Sequence, residues 1–265
     1  MPSRYCKKAF SQSGVTIPIL VVPHGLEDEY TPILGKRSPN KFVFYNTFNS
    51  KSFLSRKNCE ELIRCFQAAF DGQSDIELRL RTQADSENLN KLRRKYTFGE
   101  TIVIEDMLDL SVNKFAAIYS QVHCTVHPSR GEGFGLIPFQ SIACGTPVIA
   151  TGATGMLDYL DSSYSTLVRV SGSVKGQAVG NQSGVYYRVD EPHLTKCLQN
   201  VYLNYDQELS KVSKISSKFR EHYAWSSVLS PFSSLVESIL VNGINKSRFT
   251  QYLKSYEFEH FAERI

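Results

Sequence analysis

Residues 127–156 read HPSRGEGFGLIPFQSIACGTPVIATGATGM. An apolar strand ends at His127-Pro128-Ser129. Gly131, Gly133 and Gly135 follow at alternate positions, with Glu132 among them. A helix begins near Leu136, with Pro138 in its first turn, where a missing N–H is tolerated. It runs to Ala143, and a second apolar strand follows over 147–150. Strand, glycine loop, helix and strand form the repeat unit of a parallel sheet. Glycines let backbone N–H groups approach a ligand closely. A helix N-terminus adds unpaired donors and the positive end of the helix dipole. Together these make a phosphate seat, and the Glu132 carboxylate beside it suits sugar hydroxyls. By itself the cluster fits equally a tight turn whose glycines relieve strain.

Working outward, the same alternation recurs. Apolar strands are expected over 17–22, 42–48, 76–80, 101–104 and 124–127. Helices are expected over 3–13, 58–70, 87–95, 111–121 and a short one over 156–160. In 58–70, Leu62, Cys65, Phe66, Ala69 and Phe70 recur at helical spacing. The pattern predicts an α/β, Rossmann-like parallel sheet with helices on both faces. Ligands of such sheets bind at the carboxyl ends of the strands, so the loops after Phe48, Ile104 and His127 are the candidate site. Beyond Val170 the pattern changes. Residues 172–184 read as an exposed polar loop, 185–189 as a short strand and 191–223 as two helices. Another helix follows Trp225, and 248–265 is expected as a final amphipathic helix, giving a helical C-terminal tail. The domain reading is a segment with a first strand over 1–24, a Rossmann-like ligand-binding unit over 25–170, and 171–265 packing on it.

Composition narrows the class. In 265 residues, 42% are hydrophobic and 21% charged, which predicts a real core and argues against general disorder. Thirty Lys and Arg against 26 Asp and Glu give a net charge of +4. That is too slight an excess to require nucleic acid. The six cysteines form no CxxC pair and lie mostly in apolar runs, as expected of reduced core residues in a cytoplasmic protein. No apolar run reaches the length of a membrane span, and residues 1–13 lack the apolar core of a signal peptide. The histidines are scattered, so no metal cluster is expected, and each of them, His127 included, is assigned a solvated or core role.

The long stretch PSRGEGFGLIPFQSIACGTPVI resembles the signature of GT-B fold retaining glycosyltransferases of family 4, the glycosyl transferases group 1. Their pattern is PSxxEGFGLxxxEAxAxGxPVI, with two glutamates separated by seven residues. The resemblance extends to residues 2–14 (PSRYCKKAFSQSG, similar to the interdomain segment), 21–25 (VVPHG), 55–58 (SRKN, similar to a basic loop) and 116–129. It covers 2–160, with Trp225 as a later echo, and corresponds to the C-terminal, donor-binding half of a GT-B fold.

The resemblance implies roles residue by residue. Glu132 would contact donor-sugar hydroxyls, and the backbone around Gly133, Phe134, Gly135 and Leu136 would hold the sugar and the distal phosphate. Lys57 would meet the diphosphate, with Arg56 beside it; Glu132 and Lys57 are the catalytic candidates. The second glutamate position, which holds the ribose hydroxyls, is Gln140. Glutamine still donates and accepts. It gives up charge assistance, about 1.5–3 kcal/mol against about 0.5–1.5 for a neutral bond. The base would lie near Glu105 to Met107. The implied reaction is metal-independent sugar transfer with retention from a nucleotide-diphospho-sugar, UDP-sugar favoured, with no cofactor. Lys57 and the helix end at Leu136 would stabilise the leaving diphosphate.

The resemblance also opens at the interdomain segment. A further Rossmann half needs about 100 residues, more than precede Gly25. Three expectations follow: an acceptor half on a separate polypeptide, an acceptor surface from the tail or from self-association, or a non-catalytic nucleotide-sugar-binding protein. A narrower variant has modified DNA bases as acceptor.

Overall fold

The computed structural model describes residues 1–32, 37–48, 54–82, 87–106, 110–175 and 184–242. Five strands follow the expected alternation: β1 (Phe42–Thr47), β2 (Ile76–Thr82), β3 (Ile102–Asp106), β4 (Cys124–His127) and β5 (Val148–Thr151). A sixth, β6 (Thr166–Val168), completes one parallel sheet in the order β3-β2-β1-β4-β5-β6. The helices are α1 (Arg4–Gln12), α2 (Leu54–Lys57), α3 (Cys59–Ala69), α4 (Glu87–Lys95), α5 (Val112–Gln121) and α6 (Leu136–Ala143). They are followed by α7 (Glu191–Leu203), α8 (Tyr205–His222) and α9 (Trp225–Asn242), and a 3₁₀ turn spans Thr154–Asp158.

Both faces of the sheet are covered, which is why its strands read as apolar runs. Along β1 the side chains alternate. Phe44 joins Ile76, Leu78, Leu80 and Val126 beneath α3 and α7. Val43 and Tyr45 point the other way, toward Ile118 and Val122 at α5. The second large core gathers Phe139, Ile142 and Met156 with Tyr159, Phe219 and Tyr223, joining α6 to α8. Each fully buried large side chain contributes about 1.5–3 kcal/mol. Five of the six cysteines are buried and all six are free thiols, in line with the core role expected for them.

Three expectations change. Residues 17–22 form no strand. Pro18 supplies no N–H, and the segment's backbone bonds run to Met1: the N-terminal ammonium donates to the Leu20 carbonyl (2.7 Å) and the Val22 N–H to the Met1 carbonyl (2.8 Å). Its apolar side chains instead line an open groove of about 760 Å³ with Phe10, Val15 and Phe232. An apolar run looks the same in a sequence whether it floors a groove or fills a sheet. The polar loop expected over 172–184 opens instead as a strand, β7 (Val170–Lys175), paired antiparallel with β8 (Val185–Val189), the short strand expected there. β6, at three residues, is too short for a pattern. The expected helix over 248–265 lies outside the described residues.

The VVPHG turn is fixed by packing. A Cβ on Gly25 would sit 2.3 Å from the Trp225 ring, so only glycine fits. Leu26 bridges Ala224 there, tying the N-terminal segment to the start of α9.

Candidate functional site

The strand order reverses between β1 and β4, and the chain segments leaving these two strands meet at that crevice. They are joined by backbone and side chain. The Arg130 N–H donates to the Arg56 carbonyl (2.8 Å), and Arg56 Nη1 donates to the Gly131 carbonyl (2.9 Å). The Arg130 guanidinium bonds Asn58 Oδ1 and Glu61 Oε1, both at 2.8 Å. Asn58 caps α3 in the left-handed conformation, at φ 60°. This latch carries α2, and with it Arg56 and Lys57, onto the glycine loop.

Glu132 is the centre. Its Oε1 lies 2.6 Å from Lys57 Nζ, 3.1 Å from Arg56 Nη1 and 3.2 Å from His127 Nε2. Burial works to raise the Glu132 carboxyl pKa, but the His127 hydrogen bond and the Lys57 charge outweigh it and hold the group well below its ordinary value of 4.5. His127 is 2% exposed. Burial pushes its imidazolium pKa down from 6.5, against the pull of Glu132 and with the push of Lys57 and Arg56. Sequence reasoning gave His127 no role, because a histidine at a strand end carries no signal until Glu132 is seen to turn back onto it.

The loop backbone is held from behind. The Gly155 N–H donates to the Glu132 carbonyl (3.1 Å), and the Glu132 N–H to Thr154 Oγ1 (3.3 Å). Ser3, fully buried, caps α1 by accepting the Cys6 N–H and donates its own hydroxyl to the Gly133 carbonyl at 2.5 Å. The N-terminal helix is thereby bolted to the loop. Gly135 takes φ +90° as N-cap of α6 and offers no side-chain cap. The first N–H groups of α6 therefore face the groove with no side chain on them, and Leu136 is exposed. Tyr187 of β8 adds an N–H bond to the Arg130 carbonyl (2.9 Å), seating the hairpin beside the loop.

These groups line a groove of about 420 Å³ formed by Lys57, Glu132, Gly133, Phe134, Gly135 and Leu136, together with Pro2, His24, His127 and Ile137. Six of the sequence candidates thus share one cavity wall, and Arg56 reaches it through Glu132. Pro2 and His24 were not anticipated; His24 is set edge-on against Phe134, their ring centroids 5.0 Å apart. Gln140 is placed differently. It is buried on α6, where the Tyr119 hydroxyl donates to its Oε1 at 3.0 Å, and it is not among the groove's lining residues. Glu105, on edge strand β3, pairs with Arg79 (3.3 Å) and Arg81 (3.7 Å) rather than with this cluster. Met107 lies outside the described residues. Among the described residues no three His, Cys, Asp or Glu side chains gather as a metal site. No described helix is long and apolar enough to cross a membrane.

A doubly wound sheet in this order, with a glycine-loop carboxylate facing a basic turn at its switch point, is the architecture of the C-terminal domain of GT-B glycosyltransferases. The chain belongs to one family of them, described as Family 4 Glycosyltransferase in conflict systems, whose pattern matches residues 55–231. It is 23% identical over 146 residues to the O-antigen chain mannosyltransferase RfbU of Salmonella typhimurium, covering 50% of this chain and 41% of that one. It is 34% identical over 96 residues to D-inositol 3-phosphate glycosyltransferase 1 of Catenulispora acidiphila, covering 36% and 22%. The chain therefore matches less than half the length of these relatives. In fold it is similar to sucrose-phosphate synthase from Thermosynechococcus elongatus, with TM-score 0.71 at 18% identity, covering 91% of this chain and 58% of that one. It is also similar to Anabaena Alr3699/HepE in complex with UDP and glucose, with TM-score 0.70 at 13% identity, covering 89% and 62%.

Proposed function

We propose that this chain binds a nucleotide-diphospho-sugar, UDP-sugar favoured, and serves as the donor half of a retaining, metal-independent glycosyltransferase. The observation that carries the reading is the convergence of Lys57, Arg56 and His127 on Glu132 beside the uncapped N-terminus of α6. Two cations and a helix end form a seat for two phosphates. The carboxylate adjoining them accepts hydrogen bonds from the sugar. As the bond to the anomeric carbon breaks, negative charge grows on the diphosphate. Lys57, Arg56 and the α6 amides are already in place to meet it, which is the preorganised electrostatic stabilisation that lowers such barriers. The fold neighbour HepE, solved with UDP-glucose, supports the donor class.

A neighbour of the same fold is the GtfA/B complex, with TM-score 0.60, which supports an acceptor site shared with a second polypeptide or formed by self-association. The modified-DNA reading finds no support among the relatives. One observation favours a second reading, a nucleotide-sugar-binding protein without turnover: Gln140 is tied to Tyr119 inside the core.

The test is thermal unfolding against UDP, GDP, ADP and their glucose conjugates, followed by assays for sugar transfer and donor hydrolysis. A ligand at 100 times its Kd adds about 2.7 kcal/mol, a rise of roughly 5–11 °C. A selective rise with turnover supports the enzyme, and a rise without turnover supports the second reading. No rise and no turnover refutes both.

A further inference from the structure

We propose that His127 is the positioning residue of this site, holding the Glu132 carboxylate in its working orientation when a bound diphosphate draws Lys57 and Arg56 away. The inference rests on the donor-binding reading above and deepens it.

The geometry is specific. Among the described residues, every hydrogen bond and ion pair made by the Glu132 carboxylate ends on Oε1: Lys57 Nζ, Arg56 Nη1 and His127 Nε2. Oε2 is left for a ligand. The three donors differ in freedom. Lys57 and Arg56 are cations on long flexible stems, with side chains 17% and 26% exposed. Lys57 lines the groove where a diphosphate would bind and Arg56 reaches it through Glu132, and the diphosphate's several charged oxygens compete for them with one shared carboxylate oxygen. His127 is fixed. It sits in β4, paired to β5 through Ala150, and is 2% exposed. A rigid ring on a strand does not follow the ligand.

The proton position follows from the surroundings. Nδ1 of His127 is buried and has no hydrogen-bond partner. The acceptor within reach of the ring is Glu132 Oε1, so His127 carries a proton on Nε2 and donates it there. That bond fixes one carboxylate oxygen, and the planar carboxylate then fixes the direction of the other. With the cations recruited to phosphate and His127 absent, Glu132 would rotate freely about its own side-chain bonds.

The test uses the whole chain. In wild type at pH 7, ¹⁵N NMR of the imidazole should show a proton on Nε2, and that N–H signal should persist at saturating UDP. A ring protonated on Nδ1 alone, or loss of the Nε2–H signal with UDP, overturns the proposal, whatever the enzyme's activity. Kinetically, His127→Leu removes the donor and His127→Gln keeps an N–H near the same place. With the donor selected by the panel above, His127→Leu should lower kcat about 10- to 100-fold. Affinity for the matching nucleoside diphosphate should stay within about twofold, because phosphate is held by other groups. His127→Gln should recover most of the rate. Full activity in His127→Leu, equal loss of nucleotide binding and rate, or no rescue by Gln in a folded variant, would each overturn it. A wild-type chain that binds no nucleotide refutes the donor reading and this proposal with it, whereas nucleotide binding without a persistent Nε2–H signal refutes this proposal alone.

Discussion

Replacing Gly135 by alanine should both destabilise the protein and disable the site, by an amount set by two separable terms. Gly135 stands at φ +90°, and an added Cβ would lie 2.7 Å from Met156 Cγ and 3.1 Å from both Met156 Sδ and the Tyr159 hydroxyl. The left-handed backbone costs an L-residue about 1–2 kcal/mol. Met156 and Tyr159 are fully buried in the aromatic core, so neither can withdraw cheaply. Overpacking adds about 1–3 kcal/mol. The sum is about 2–5 kcal/mol, a fall in Tm of roughly 4–20 °C for a chain of this size. Gly72 separates the terms: it has φ +74° with nothing within 4 Å of an added Cβ, so Gly72→Ala carries only the backbone strain. Urea denaturation of both variants measures the difference directly. Because Gly135 is the N-cap of α6, its displacement also re-aims the amides that face the groove, and nucleotide affinity should fall in Gly135→Ala alone. If Gly135→Ala proves no more destabilising than Gly72→Ala, the packing of the signature loop against the 3₁₀ turn is not as described.

Lys57→Ala should weaken binding of the selected nucleoside diphosphate about 10- to 100-fold by calorimetry, the worth of one charge-assisted bond. Glu132→Ala should abolish transfer, and both variants should still fold; unchanged turnover in the two would sink the enzyme reading. The pH dependence has a definite sign. The Glu132 carboxyl is held below 4.5 in the fold, so the unfolded chain takes up this proton first as pH falls. Its contribution to stability is complete above pH 4.5 and is lost below it, and urea titrations should show this loss in wild type but not in Glu132→Gln. Phe139→Ala, at the centre of the aromatic cluster with Phe134, Tyr159, Phe219 and Tyr223, should cost about 3–5 kcal/mol by urea denaturation.

The parts of the fold legible in the sequence were those with a period. Strand β4 and helices α4 and α6 begin and end where their patterns do, because each carries its boundary residues within a few positions. The segment 17–22 misled because hydrophobicity does not record which neighbour covers a side chain. Strand β7 hid behind glycine and serine, which suit strands poorly on their own and are held there by pairing to β8, itself legible over 185–189. At the site, Glu132, Lys57 and Arg56 were legible from the signature and its basic loop. His127, Pro2 and His24 were not, since their part depends on where the N-terminal segment docks and how Glu132 turns. Gln140 was legible as a departure, but its tie to Tyr119 was not, since it depends on how α5 meets α6.

The charge arrangement says how the cluster holds together. Lys57 and Arg56 each lie within 3.1 Å of the Glu132 carboxylate, which offsets one of their two charges, with His127 beside them. Without Glu132, Lys57 and Arg56 would stand side by side with no counter-ion, a like-charge contact that a partly buried site penalises. On the proposed reading, donor binding is then an exchange of partners rather than the creation of a new ion pair. The phosphates take the cations, and the carboxylate passes to sugar hydroxyls. Such an exchange preserves the hydrogen-bond count while moving negative charge toward the α6 N-terminus. Affinity for the diphosphate is thereby the difference between two charged arrangements of similar energy. Selectivity then falls to the sugar, whose hydroxyls take the place of the departed cations at Glu132 while His127 keeps its own bond.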